Sequence, residues 1–171
     1  MGTCVVGVGA EVPFKRELAA LLLREFGEDA VFLKKVPAED AFYDYGRGQH
    51  DAEKLLRRLR RQCAGCDKAF GVTGLDLFVP GLNFVFGLSE LSGRAGILST
   101  ARLRSARKAL FRRRFLKESL HELGHLHGLP HCEEECVMRF SDAIGEVDEK
   151  PASLCARCRE RLRRGRPGRR I

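Results

Sequence analysis

Apolar positions along the first hundred residues switch repeatedly between strand-like and helix-like spacing, and this rhythm predicts the elements. Residues 4–12 form an apolar run that reads as a first strand. Pro13 suits the first turn of a helix reaching about Phe26, along which Leu18, Leu21, Leu22 and Phe26 recur at helical spacing. Residues 30–36 read as a second strand, followed by a loop through Asp44, Tyr45 and Gly46. A second helix is expected over residues 49–62, with Leu55, Leu56 and Leu59 on one side and arginines on the other. Three short apolar runs follow at 69–79, 83–88 and 94–100. Pro80-Gly81 and Ser92-Gly93 punctuate them, and all three are expected to join one sheet. Residues 104–127 return to a helical pattern, with Phe111, Phe115, Leu120, Leu123 and Leu126 set against Arg112–Arg114. Gly128, with Pro130 two residues later, predicts its end. The remainder is irregular and cysteine-rich until a short helix expected near Pro151.

A length of 171 residues with 44% hydrophobic content supports one ordinary core and argues against two full domains. No apolar run approaches the roughly 18 residues of a membrane span, and residues 3–12 lack the basic flank of a signal peptide, so no membrane association is expected. Met1-Gly2 does not make a myristoylation site, because Val6 stands where that motif wants Ser or Thr. The net charge of +8 invites a nucleic-acid reading, but residues 157–171 hold eight Arg against one Glu, which leaves the rest of the chain near +1. No nucleic acid is therefore expected on the folded body, and residues 161–171 read as a solvated basic tail. Seven cysteines without a secretory signal imply a reducing compartment, the cytoplasm, where close cysteine pairs bind metal more often than they form disulfides.

The most informative stretch runs from His121 to His131 and spells HExxHxxGxxH. On a helix, His121 and His125 lie four residues apart and project from one face, so both imidazoles can grip one ion. Glu122 sits about 100° round the helix, beside that ion and not among its ligands. His127 lies about 200° round from His125 and points away, which predicts an exposed side chain. Gly128 can take the left-handed conformation that turns the chain and brings His131 back as the third ligand. Three neutral imidazoles leave an open position, as in catalytic rather than structural zinc sites. Glu122 is then the general base for a zinc-bound water, and the expected chemistry is hydrolysis of peptide bonds in a peptide or protein substrate.

A second constellation follows directly. Cys132 and Cys136 form one close pair and Cys155 and Cys158 another, a spacing that resembles a structural zinc site with four thiolates and no room for substrate. Two zinc ions per chain are expected, the second stapling the C-terminal segment beside His131. Cys63 and Cys66 make a further CxxC without a partner pair and read as two buried or half-buried thiols.

Together these residues resemble the metzincins and, within them, the archaemetzincins. Met138, in Cys136-Val137-Met138, occupies the place of the methionine that metzincins carry in a tight turn beneath the zinc. The cysteine after the third histidine, the Cys-x-Met and the final CxxC are the archaemetzincin part. The runs Asp76–Pro80 and Asn83–Gly87 are also similar to the family. The chain departs from the pattern in having three residues, rather than four, between Cys132 and Cys136, and a stretch from Met138 to Cys155 that is one residue short. The resemblance implies an α/β fold of metzincin type, in which flanking helices, one of them carrying the zinc-binding histidines, pack on a twisted five-stranded, mostly parallel sheet. One antiparallel edge strand near residues 83–88 lines the cleft, and peptide binds as an added strand. It also implies one catalytic domain over residues 1–160, with parts 1–127 and 128–160, and aminopeptidase-like cleavage. Several metzincin branches place a tyrosine two residues after the turn methionine. Here that residue is Phe140, which keeps open an alternative: a metzincin-like zinc scaffold with little turnover that binds peptides or a partner protein.

Overall fold

The computed structural model describes residues 2–38 and 40–165; Met1, Glu39 and residues 166–171, the end of the basic tail, lie outside the described residues. Five strands, β1 (Gly2–Val8), β2 (Asp29–Phe32), β5 (Lys68–Thr73), β7 (Gly87–Ser89) and β8 (Ala95–Ser99), form the main sheet. Its order is β2-β1-β5-β8-β7, parallel except for β7, which runs antiparallel to β8 at the edge. Side chains alternate across this sheet. Val5, Phe70, Val72 and Leu98 face the helices α1 (Lys15–Phe26) and α3 (Lys108–Leu126), while Val8, Ala95 and Ile97 face α2 (Ala52–Gln62). The mixed α/β architecture thus has helices on both faces, with five α-helices and one short 3-10 turn among the described residues.

Several elements differ from the sequence pattern for local reasons. The apolar run 69–79 does not stay in one sheet. At the end of β5 the Thr73 hydroxyl accepts from the Leu75 N–H and donates to the Val8 carbonyl, and the chain leaves the main sheet there. Beyond that turn, β6 (Leu77–Phe78) joins a separate small sheet with β3 (Tyr43–Asp44) and β4 (Gln49–Asp51), in the order β3-β4-β6. Residues 49–51 are thus strand rather than helix, and Asp51 caps α2 by accepting the Lys54 N–H at 3.1 Å. The edge strand is shorter and later than the run 83–88. Helix α4 (Ile144–Glu149) precedes Pro151, and α5 (Ala156–Arg164) begins just after Cys155.

The cysteine expectation needs one correction: Cys66 is not a free thiol but is disulfide-bonded to Cys4. The parallel pairing of β1 with β5 explains this, because Cys4 lies opposite Ala69, three residues beyond Cys66. Cys63 remains free and buried.

His127 also differs from its expected exposure. Its ring stacks on Phe26 at 4.0 Å, its Nδ1 bonds the Leu123 carbonyl, and its Nε2 lies 3.0 Å from Glu28 Oε1. Thr3 and Lys68 bond the same Glu28 carboxylate, which thereby ties α3 to β1 and β5. Burial pushes the Glu28 pKa up, but the hydrogen bonds from His127 and Thr3 and the charge of Lys68 outweigh it and hold the carboxyl down, to about 2. A depressed carboxyl pKa stabilises the fold above the unfolded-state value of 4.5, and that stability is lost as pH falls from there towards 2. Glu28→Gln is therefore expected to cost roughly 2–3 kcal/mol at pH 7, with the gap to wild type closing below pH 4. Chemical unfolding at pH 7 and pH 3 checks this, and equal losses at both would disprove it.

Candidate metal centre and active site

Helix α3 carries His121 and His125 one turn apart, and both Nδ1 atoms are tied to backbone. His121 Nδ1 lies 3.0 Å from the Val137 carbonyl, and His125 Nδ1 lies 2.7 Å from the Leu129 carbonyl. A carbonyl only accepts, so each Nδ1 carries the proton and each Nε2 presents a lone pair. The two Nε2 atoms face one another at 3.1 Å. Past them, Gly128 adopts φ +85, a left-handed backbone that favours glycine, and the chain doubles back. His131 then joins His121 and His125, with one donor atom from each ring inside a 4.8 Å group. Gly124 serves a different need. A Cβ there would lie 2.5 Å from Met138 Sδ, so its bare backbone lets the turn methionine pack directly under the helix.

Burial shapes the electrostatics. His121 is held well below the usual imidazole range by burial, with the Lys150 charge adding to the effect, and burial also lowers His125 and His131. All three rings are thus neutral, as metal ligands must be. Burial raises the Glu122 carboxyl to about 8, against a lowering by its hydrogen bond from Ser89. One turn before, Glu118 pairs with Lys150 at 2.6 Å, both side chains almost wholly buried. The three histidines, Glu118 and Glu122 line a cleft of about 790 Å³ together with residues 84–89 and Phe140. Phe140 is 53% exposed and packs against His131 with ring centroids 5.2 Å apart, so it adds an apolar wall where a tyrosine would add a hydroxyl. Neither Tyr43 nor Tyr45 lines this cleft; their rings pack on each other at 5.0 Å beside the small sheet.

Cys132, Cys136, Cys155 and Cys158 gather behind His131, with all four sulfurs within 4.8 Å of one another. The Cys132 and Cys155 sulfurs lie 3.8 Å apart, which matches the edge of a tetrahedron with metal–sulfur bonds of about 2.3 Å. Backbone N–H groups point at these sulfurs. Cys136 Sγ accepts from Met138 and Cys155, and Cys155 Sγ accepts from Cys158, an arrangement suited to thiolates. Both donor sets fit zinc, the three nitrogens with an open side towards the cleft and the four sulfurs without one.

Sequence reasoning missed Ser89, the Lys150–Glu118 pair and the carbonyls of Leu129 and Val137. Only Glu118 left a trace in the sequence, lying three residues before His121 on the same helix.

A three-histidine nest with an adjacent buried glutamate, on a helix packed against a mixed sheet, defines the class of zinc metallopeptidases. The model of Peptidase family M54 matches residues 28–164. An archaemetzincin of Archaeoglobus fulgidus is 42% identical over 131 residues, covering 75% of this chain and 79% of that one. The crystal structure of an archaemetzincin from Methanopyrus kandleri superposes with a TM-score of 0.89 at 37% identity, covering 96% of this chain and 94% of that one. That of a zinc-dependent peptidase from Methanocorpusculum labreanum gives 0.82 at 28% identity, with 94% and 100% covered. The chain belongs to the archaemetzincin family, peptidase family M54, and is a zinc metallopeptidase that acts on peptide or protein substrates.

Proposed function

We propose that His121, His125 and His131 hold a catalytic zinc, that Cys132, Cys136, Cys155 and Cys158 hold a second, structural one, and that Glu122 is the general base. The observation that carries this reading is the locking of both buried Nδ1 atoms onto backbone carbonyls, which leaves two Nε2 lone pairs facing one point. Zinc, when bound, supplies Lewis acidity towards the substrate carbonyl and the attacking water. Burial disfavours the ionised form of Glu122, and the charge of a zinc ion held by the neighbouring histidines would restore it. Glu122, lining the cleft, then takes the proton of that water and returns it to the departing amine. Met138 packs beneath the helix, and the Val137 carbonyl next to it orients His121. The outer edge of β7 offers its backbone to an extended peptide as an added strand, and Phe84 and Phe140, which both line the cleft, favour apolar side chains next to the scissile bond.

Residues 1–160 act as one catalytic domain in this reading, but the basic tail expected from residue 161 does not begin there, because α5 runs on to Arg164 and buries Leu162 in the core. The arginines of α2 are in part neutralised by neighbours, Arg57 by Glu53 and Arg60 by Glu90, which supports a body that binds no nucleic acid. The buried free thiol of Cys63 and a cysteine cluster gathered as for metal support a cytoplasmic location, and the Cys4–Cys66 disulfide weighs against it. Aminopeptidase-like cleavage is the finer reading, and the scaffold with little turnover is the rival that Phe140 favours.

Native mass spectrometry paired with digestion of a mixed peptide library tests the proposal. Two zinc ions, with cleavage lost on chelation and regained with zinc, support it, and loss of cleavage on acetylated peptides alone supports the aminopeptidase form. Two ions without cleavage favour the scaffold, and a histidine site that takes no zinc overturns the mechanism.

A further inference from the structure

Strand β7 alternates its side chains, so Gly87 and Ser89 share a face while Leu88 takes the other. That shared face meets α3 at Glu122. Ser89 Oγ donates a hydrogen bond to Glu122 Oε2 at 2.7 Å, and among the described residues it is the one group hydrogen-bonded to that carboxyl. A Cβ on Gly87 would lie 2.6 Å from Oε1 and Cδ of the same carboxyl, so the missing side chain at 87 is what admits it. Ser89 sits opposite Gly96 in the register of β7 with β8, and a Cβ on Gly96 would come 2.4 Å from Ser89 Oγ. Two glycines on two strands thus hollow out a recess, and one hydroxyl inside it holds one carboxyl oxygen.

The geometry points to Ser89 as the positioning residue for Glu122, fixing the carboxyl so that Oε1 is the oxygen left to take a proton. This rests on the reading of Glu122 as general base and of β7 as the peptide-binding edge. Under that reading the strand that receives the substrate also holds the base, so an ordered β7 brings both into register. The Ser89 hydroxyl bonds Glu122 and none of the three histidines among the described residues, so its effect on the base reaches the reaction through Glu122.

Three proteins test this: wild type, Ser89→Ala and Ser89→Thr, each with its full zinc complement for both kinetics and spectroscopy. Ser89→Ala is expected to lower kcat about five- to tenfold, the kinetic equivalent of one typical net hydrogen bond, with KM within about twofold. Zinc content and thermal midpoint stay at wild-type values, and Ser89→Thr, which keeps the hydroxyl, restores most of kcat. In zinc-loaded protein with 13C-labelled glutamate, the Glu122 side-chain resonance, identified by its absence from Glu122→Gln, shifts in Ser89→Ala and returns in Ser89→Thr. An unmoved resonance with unchanged kcat overturns the inference, as does a loss confined to KM. If wild type shows no turnover, the peptidase reading fails, while the resonance still decides whether Ser89 holds Glu122.

Discussion

Glu122→Gln is expected to keep both zinc ions and the wild-type thermal midpoint, yet to hydrolyse peptides roughly 10²–10⁴ times more slowly, the usual contribution of a positioned general base. Glutamine fills the same recess, since the amide is nearly isosteric with the carboxyl and its oxygen can still accept the Ser89 hydroxyl. What it cannot do is take up a proton at neutral pH. The three histidines do not depend on it, because His121 and His125 are oriented by the carbonyls of Val137 and Leu129. Zinc content by native mass spectrometry and kcat on one peptide, measured on the same preparation, check the prediction. Equal rates for the two proteins would assign any cleavage to another group and leave the scaffold reading standing. Loss of the histidine-bound zinc would make Glu122 a ligand and not a base.

The site was legible in the sequence to the extent that its geometry is local. His121, His125 and the turn at Gly128 lie within one helix and its end, where a 3.6-residue period and one left-handed residue fix directions. The two cysteine pairs were legible for a related reason, since each closes over two or three intervening residues and only their meeting is long-range. The main sheet could be read from alternating apolar runs, but not the departure of β6, because a hydroxyl bond at Thr73 decides where the chain leaves the sheet. Partners set by tertiary register left no signal at all. Glu28 meets His127 from 99 residues away, Ser89 meets Glu122 from 33, and Cys4 meets Cys66 from 62. His127 shows how a correct local direction can still mislead. It does point away from the other histidines, yet the neighbouring surface is α1 and the loop after it, not solvent.

Cys136→Ser should have the largest effect on stability, because the residues that orient the histidines hang from the cysteine cluster. Cys136 is fully buried, and its sulfur accepts the N–H groups of Met138 and Cys155. The chain around it supplies the Val137 carbonyl that holds His121, while the Cys132 N–H bonds the Met138 carbonyl and keeps the residue after His131 in place. Serine is a poor zinc ligand and would leave a hydroxyl buried among three thiols, so the second ion should be lost. The segment from 128 onward has other anchors as well: Leu129, Val137, Met138, Val147, Leu154 and Leu162 reach the core, and the Lys150–Glu118 and Arg114–Asp148 pairs, with Lys117 donating to the Val147 and Asp148 carbonyls, tie it to α3. A structural zinc contributes on the order of 10 kcal/mol where it organises a whole small domain, and this partly anchored segment should lose at least about 4 kcal/mol. Affinity for the remaining zinc should fall roughly 10–100-fold, the range seen when groups that orient ligands are removed. Chemical unfolding, and zinc competition against a chelator of known affinity, measure the two effects separately, with Cys63→Ala as a control outside the cluster. A variant that kept its stability and still held the catalytic zinc as tightly as wild type would mean that packing alone fixes His131, and the second ion would then have no structural task.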